Sequence, residues 1–323
     1  MKSADRRQCS IVIVNYKTPG LCIDSVRSLA VEGKSEVEVL LVDNASGDGS
    51  LDTLTSSLDV NEGSNLRLIS SAENAGFSAG NNIGINLSVG EFVLLLNSDT
   101  VVRPGAVELL VKTLRENPGV GMVSPRLEWP DGRLQNSCFR FHHPVQELMH
   151  AASTGFVTKL LSRFDLPLPA TPECSNPDWV SFACVLIRRQ VFEDVGFLDE
   201  GFFMYYEDVD LCRRVRTAGW QIVNNPNARV VHLRGGSSKV KSATALRKRL
   251  PRYVYESRAR YYHKHFGLCG LLLANVCWHI GWGVSLVRRL LSRSYTGSVV
   301  DAQYRDIWIG FLRACRGRGS RSK

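Results

Sequence analysis

Nine cysteines are spread through the 323 residues, and none forms a CxxC pair or a tight cluster. That spacing argues against a zinc site and a disulfide framework, and it suits a reducing compartment. Two glycine-rich signatures are missing as well. A dinucleotide-binding fold needs GxGxxG directly after its first strand, where this chain reads Asn15-Tyr16-Lys17-Thr18-Pro19-Gly20, and no GxxxxGK followed by Ser or Thr occurs. A nucleotide bound here must be held without a glycine-rich phosphate loop, leaving its diphosphate charge for a metal to neutralise. The apolar run after Arg6 and Arg7 is short and ends at Asn15, so no secretory signal is expected and the chain is placed in the cytosol or on its membrane face.

Acidic residues are scarce in one region only. Residues 234–323 hold 19 Lys and Arg against 3 Asp and Glu, whereas residues 1–233 hold 21 against 28, so the net charge of +9 divides into +16 and −7. A basic tail of this kind favours an anionic surface, either nucleic acid or acidic lipid. The rest of the composition, 44% hydrophobic and 22% charged, is that of a globular protein with one large domain or two smaller ones.

Three apolar runs read as buried parallel strands that end in polar residues: Ser10 to Tyr16 with Asn15, Val37 to Asp43, and VLLL at 93–96 running into Asn97-Ser98-Asp99. Such strands bring Asn15, Asp43 and Asp99 to one edge of a sheet, where side chains face a crevice and a carboxylate can hold a divalent cation. Helical segments are expected near Leu21 to Ala30, Ala79 to Leu87 and Ala106 to Asn117, with a further strand at Leu66 to Ser70. The alternation predicts an α/β fold with a Rossmann-like, mostly parallel sheet flanked by helices.

Six short motifs occur in order: IVIVNY, LLVDNASGDGS, NAGFSAGNNIGI, LLLNSDT, FFMYYEDVDLCRRVRTAGW and VVHLRGGSS. Together they resemble the inverting GT-A glycosyltransferases of family 2, most nearly the bacterial rhamnosyltransferase-like branch, over roughly residues 9 to 240. The resemblance implies that Asp43, with Asn15 near it, contacts the nucleotide's base and ribose. It implies too that Asn74, Gly76, Phe77, Gly80, Asn81 and Asn82 wrap the nucleotide; a turn followed by a helix start is the other reading of that stretch. Asn97-Ser98-Asp99 stands where the family carries its DxD-type metal motif, with Asn in the first position in place of the acid. Asp99 is then the main carboxylate for Mg²⁺ or Mn²⁺, and His232 matches a histidine able to complete the metal shell, although a histidine after a strand also serves structurally.

Inversion in one displacement needs a base for the acceptor hydroxyl, and the resemblance places Asp208 there, with Glu207 as the alternative base or an acceptor-orienting group. Glu207, Asp208 and Asp210 could equally cap the helix that follows. Arg214 stands one turn beyond Asp210, where an i,i+4 salt bridge and a diphosphate contact are both open. Trp179 to Arg188 and Phe202 to Tyr205 read mainly as core, with acceptor contacts by analogy, and residues 133–178 read as a loop-rich excursion.

From Lys239 to Lys264 nine basic residues face one acid, Glu256, with four tyrosines interleaved; then residues 266–287 (FGLCGLLLANVCWHIGWGVSLV) carry no formal charge. That length could span a bilayer, but Asn275, His279 and four glycines favour an interfacial or re-entrant helix at the cytoplasmic face of the membrane, with a buried helical subdomain as the bland reading. The expectation is a GT-A domain over residues 8–240 and a basic, apolar, membrane-associating helical tail over 241–323. It would move a sugar, rhamnose from dTDP-L-rhamnose by resemblance, from a nucleotide-sugar donor to a glycan or polyprenyl-diphosphate-linked saccharide in the cell envelope; the alternatives are the same chemistry with another nucleotide sugar, or a catalytically silent nucleotide-sugar-binding membrane partner. No nucleic-acid partner is expected, since no nucleic-acid motif accompanies the basic tail.

Overall fold

A computed structural model describes residues 8–29, 37–60, 64–168, 176–233, 240–292 and 299–316. The chain runs β1 (Cys9–Asn15), α1 (Pro19–Ser28), β2 (Val37–Asp43), α2 (Ser50–Ser57), β3 (Leu66–Ser70), α3 (Phe77–Leu87), β4 (Phe92–Asn97), β5 (Thr100–Val102), α4 (Ala106–Glu116) and β6 (Val120–Glu128). It continues through β7 (Cys138–Phe139), α5 (Gln146–Ala152), α6 (Gly155–Leu160), β8 (Trp179–Val180), β9 (Cys184–Arg188), α7 (Arg189–Val195), α8 (Glu207–Thr217) and β10 (Gln221–His232). Last come α9 (Val240–Ala245), α10 (Arg252–Leu291), α11 (Gln303–Asp306) and α12 (Phe311–Cys315).

Two compact units result. The first joins residues 1–139, 167–200 and 207–237; the second joins 140–166, 201–206 and 238–323, so two internal segments group with the tail.

The first unit is built on an eight-stranded sheet of order β3-β2-β1-β4-β9-β6-β10-β5. β3, β2, β1 and β4 pair in parallel, as does β6 with β10, while β9 and β5 run antiparallel to their neighbours. The apolar runs of β1, β2 and β4 are buried almost throughout, which strands covered by helices on both faces require. Chain order reverses between β1 and β4, because β1 leads outward through β2 to β3 and the chain then returns to β4 on the other side. The crevice beyond the carboxyl ends of such a pair is the usual binding place of an open α/β sheet.

Helix α3 is apposed closely to this sheet. A Cβ on Gly84 would lie 2.4 Å from Val12 Cγ1, and one on Gly80 would lie 2.9 Å from Val14 Cγ1, so both positions exclude side chains. The close backbone approach expected of Gly80 is thus an approach to β1.

The second unit is helical and is organised around α10, which is not one straight rod. Gly267 has φ 67° and ψ −173°, a conformation outside the helical region and open chiefly to glycine, and it divides α10 into arms of residues 252–266 and 268–291. Arg258 Nη1 donates to Asn275 Oδ1 at 2.8 Å across seventeen residues of sequence. A continuous helix would hold those residues roughly 25 Å apart, so the arms fold back on each other as a hairpin. Arg258 Nε also reaches Glu147 Oε1 of α5 at 2.8 Å, and both side chains are largely buried. Residues 133–178 depart from the loop-rich excursion expected: they contain α5, which buries Gln146, Met149, Ala151 and Ala152 and packs against α10. Seven residues have too little periodicity to announce a helix, and packing supplies the stability that propensity does not.

Candidate active site at the carboxyl ends of the strands

Asn15 and Asp43 end adjacent parallel strands in register, and the carboxamide Nδ2 of Asn15 donates to Asp43 Oδ1 at 2.7 Å. Ser46 adds two donors to the same carboxylate, its hydroxyl to Oδ1 at 2.6 Å and its backbone N–H to Oδ2 at 3.2 Å. Asn15 Oδ1 accepts from the Thr18 N–H at 3.1 Å and lies 3.3 Å from the Cys22 Sγ, so Asn15 organises the β1–α1 turn and aims Asp43. The Cys22 thiol is pushed up to about 12 by burial, and the negative charges of Asp43 and Asp99 both add to that rise. Asp43 and Asp99 therefore share one electrostatic neighbourhood.

Asn74 and Gly76 form a loop tied to the end of β2. Asn44 Nδ2 donates to Asn74 Oδ1 and to Gly76 O, each at 3.0 Å, and the Gly76 N–H also donates to Asn74 Oδ1. Phe77, half-buried, opens α3. The two asparagines beyond it are engaged structurally: Asn81 Nδ2 donates to Phe77 O, and Asn82 exchanges bonds with Leu198 and donates to Glu200. Gly80, Asn81 and Asn82 thus seat α3 and hold the 198–200 loop. Arg214 is likewise engaged within the protein. Its guanidinium donates to Asp210 at 2.9 Å and to the carbonyls of Val195, Gly196 and Phe197, so the i,i+4 pair is realised and its donors are taken up by the protein.

The metal candidates come together through the antiparallel pairing of β5 with β10, which sets Thr100 opposite His232. His232 Nε2 lies 3.4 Å from Asp99 Oδ1, and both side chains are buried. Gln135 Nε2 donates to the His232 carbonyl at 2.7 Å and fixes the backbone there. Asn97 Oδ1 and His232 Nδ1 are buried with no hydrogen-bond partner among the described residues.

No group of three His, Cys, Asp or Glu side chains able to hold a metal occurs among the described residues. The pair still fits a dication that completes its shell with phosphate oxygens and water, because adjacent ligands of an octahedral ion with bonds of about 2.1 Å lie about 3 Å apart. An imidazole in the set favours Mn²⁺ over Mg²⁺. The Arg234 to Ser238 end of the last motif lies outside the described residues.

The second acidic centre opens α8. Asp208 Oδ1 accepts from the Val209 N–H at 2.9 Å, and the backbone of Phe182 also hydrogen-bonds this carboxylate. The neighbouring Ala183 carbonyl accepts from the Asn97 N–H at 2.9 Å, so the 182–183 segment links the Asp208 carboxylate to the triplet that carries Asp99. Burial raises Asp208 to about 7. Glu207, more deeply buried, is pushed well above the carboxylate range first by desolvation and then by the charge of Asp208, and its Oε2 has no hydrogen-bond partner among the described residues. Trp179, Val180 and Phe182 to Ile187 are buried and belong to the core.

Cys22, Asn44, Ser46 and Gln135 were missed in the sequence, and only Ser46, in a Ser, Gly and Asp-rich turn, carried a local signal.

The profile of the family described as Glycosyl transferase family 2 matches residues 10–196. N-acetylglucosaminyl-diphospho-decaprenol L-rhamnosyltransferase of Mycobacterium tuberculosis (strain ATCC 25618 / H37Rv) is 30% identical over 250 residues, which cover 71% of this chain and 76% of that protein. A low-salt glycan biosynthesis hexosyltransferase of Haloferax volcanii is 31% identical over 215 residues, 64% of this chain and 61% of its own length. Among solved structures, a mannosyltransferase from Pyrobaculum calidifontis in complex with GDP-Man and Mn²⁺ is similar at a TM-score of 0.54 and 16% identity, over 95% of this chain and 88% of that one. At that identity the likeness shows the fold alone, and the fold is GT-A-like. With the sheet, the strand-end carboxylates and the family profile in agreement, the chain belongs to glycosyl transferase family 2.

Proposed function

We propose that the protein is a metal-dependent inverting glycosyltransferase that moves a sugar, rhamnose from dTDP-L-rhamnose, onto a lipid-linked saccharide of the cell envelope. The donor and acceptor classes follow the decaprenol-linked rhamnosyltransferase to which the chain is similar. The observation that carries the reading is the pair of carboxyl groups at the start of α8, set apart by their environments. A base works best with a pKa near the working pH, and Asp208 at about 7 meets that condition. Glu207 is held well above its ordinary range, by desolvation first and then by the charge of Asp208. The contrast supports Asp208 as the base.

Asp43, aimed by Asn15 and Ser46, receives the nucleoside, and the Asn74–Gly76 loop borders the nucleotide. Asp99 and His232, with the Asn97 carboxamide oxygen, would hold a divalent cation. Bound there, such an ion would supply positive charge to offset that of a leaving nucleoside diphosphate. Asp208 removes the acceptor hydroxyl proton as the oxygen attacks the anomeric carbon from the face opposite the leaving group. The helical unit holds the enzyme at the cytoplasmic face of the membrane, where a lipid-linked acceptor is met.

Titration with a panel of nucleotide sugars, with and without Mn²⁺, followed by binding and by slow donor hydrolysis, tests the reading. Metal-dependent preference for dTDP-rhamnose is the expected result, and failure of every nucleotide sugar with a folded protein overturns it.

A further inference from the structure

The second arm of α10, residues 268–291, carries no formal charge before Arg288, yet only half its circumference is covered. Leu271, Ala274, Asn275, Cys277, Trp278, Gly281 and Ser285 are buried on one side. On the other, Leu268, Leu272, Val276, Ile280, Val287 and Leu291 are exposed, the last three at 53%, 54% and 82%. At 100° per residue these exposed positions fall within one arc of about 140°, and the buried ones fill the opposite arc. Fully exposed helix faces of soluble proteins are polar; this one carries no charge before Arg288.

The occupant of that face must be apolar at its centre and anionic at its edge. Arg288 and Arg289 close the arm, and the sequence 239–264 holds nine basic residues against one acid, with Arg249, Arg252 and Arg258 paired to Asp306, Glu256 and Glu147. A lipid leaflet with anionic headgroups has that pattern. A span across the bilayer does not fit, because the buried side of the arm carries Asn275 bonded to Arg258, and Arg258 is itself paired with Glu147. Crossing would carry this polar cluster, with α5, into hydrocarbon. The first arm holds Arg252, Arg258, Arg260 and Lys264 and cannot cross either.

We infer that residues 268–291 form an in-plane membrane anchor: the exposed face enters one anionic leaflet, and the hairpin turn and both helix ends stay on the same side of the bilayer. The inference rests on the membrane placement proposed above and specifies its surface and orientation. Immersion of such a face reaches about 5–10 Å.

The full-length protein is floated with vesicles of zwitterionic lipid and of the same lipid with anionic phosphatidylglycerol. Selective binding to the anionic vesicles is expected, with at least a tenfold loss in the exposed-face double variant Leu272→Glu/Ile280→Glu. That variant keeps its slow nucleotide-sugar hydrolysis, which separates anchoring from catalysis: loss of hydrolysis by the wild type counts against the transferase reading and leaves the anchor standing. Unchanged vesicle binding by the double variant overturns the anchor, as does a wild-type dimer that binds no vesicles and is dissociated by the same substitutions. Orientation is read with Lys264→Cys and Arg289→Cys, each in a Cys174→Ser/Cys269→Ser/Cys315→Ser background. An impermeant maleimide added outside sealed vesicles modifies both positions in the in-plane arrangement, and protection of one until the vesicles are lysed shows a span and overturns it.

Discussion

Two buried glutamates, one in each unit, have opposite electrostatic fates. In the helical unit desolvation pushes Glu147 up, but the Arg258 guanidinium at 2.8 Å, with His150 and Tyr262, brings the carboxyl below its usual range. In the sheet unit Glu207 has no cation among the influences that set it; desolvation and the charges of Asp208 and Asp210 drive it upward. Elsewhere in the sheet unit carboxylates are compensated, as where Glu128 accepts from Arg103 and Arg229. The uncompensated pair at the start of α8 is therefore local, and it is the pair proposed above to take up the acceptor's proton.

The comparison is sharpened most by Asp208→Asn. Transfer should fall about 10²–10⁴-fold, the usual worth of a positioned base, while donor binding by calorimetry stays within a few-fold. The same change should raise stability. Asp208 titrates at about 7 in the folded protein and near 4 when unfolded, so ionisation favours the unfolded chain as pH rises from about 4 to about 7, and the penalty persists above that. Melting at pH 8 should thus find the variant more stable, with the gap closing below about pH 4.

Arg258→Ala breaks the comparison from the other side by giving Glu147 the condition of Glu207. Removing one partner of a buried pair costs about 3–5 kcal/mol, read as a loss of helical-unit stability in urea. In the wild type the contribution of Glu147 is present above its unfolded value of about 4.3 and is lost as pH falls through the lower folded value. Gly84→Ala should cost about 1–3 kcal/mol by forcing α3 from Val12, measured by chemical denaturation.

A pH profile reads the base directly: kcat/KM should rise through about 7 and then level, and Asp208→Glu should shift the inflection where Arg214→Lys should not. Arg214→Lys is the smallest change. It loses the fork that gathers the 195–197 carbonyls, for about 1 kcal/mol in melting, with donor affinity unaltered.

The parallel half of the sheet was legible because β1, β2 and β4 are continuous apolar runs stopped by polar residues, a pattern that depends on local sequence. Strand-end Asn15, Asp43 and Asp99 followed from it. The pairing of β5, β9 and β10 was not legible, since it depends on partners far along the chain. His232 was found through motif resemblance, whereas its proximity to Asp99 arises from β5–β10 pairing that no local pattern encodes. That Gly80 and Asn82 also serve close packing and loop fastening was not legible, because small and amide residues suit those roles as readily as recognition. Gly267 lay hidden in an apolar run, where one backbone torsion turns an apparent span into a hairpin.

The clamp formed by α5 also bears on synthesis. Gln146–Ala152 emerges from the ribosome 116 residues before Leu268, an interval of roughly 6–23 s at common elongation rates. When the apolar arm appears, the chain already contains the surface that its buried side will meet. Vectorial synthesis thereby shortens the time during which that side stands open to aggregation or to capture by insertion machinery that recognises a continuous hydrophobic segment.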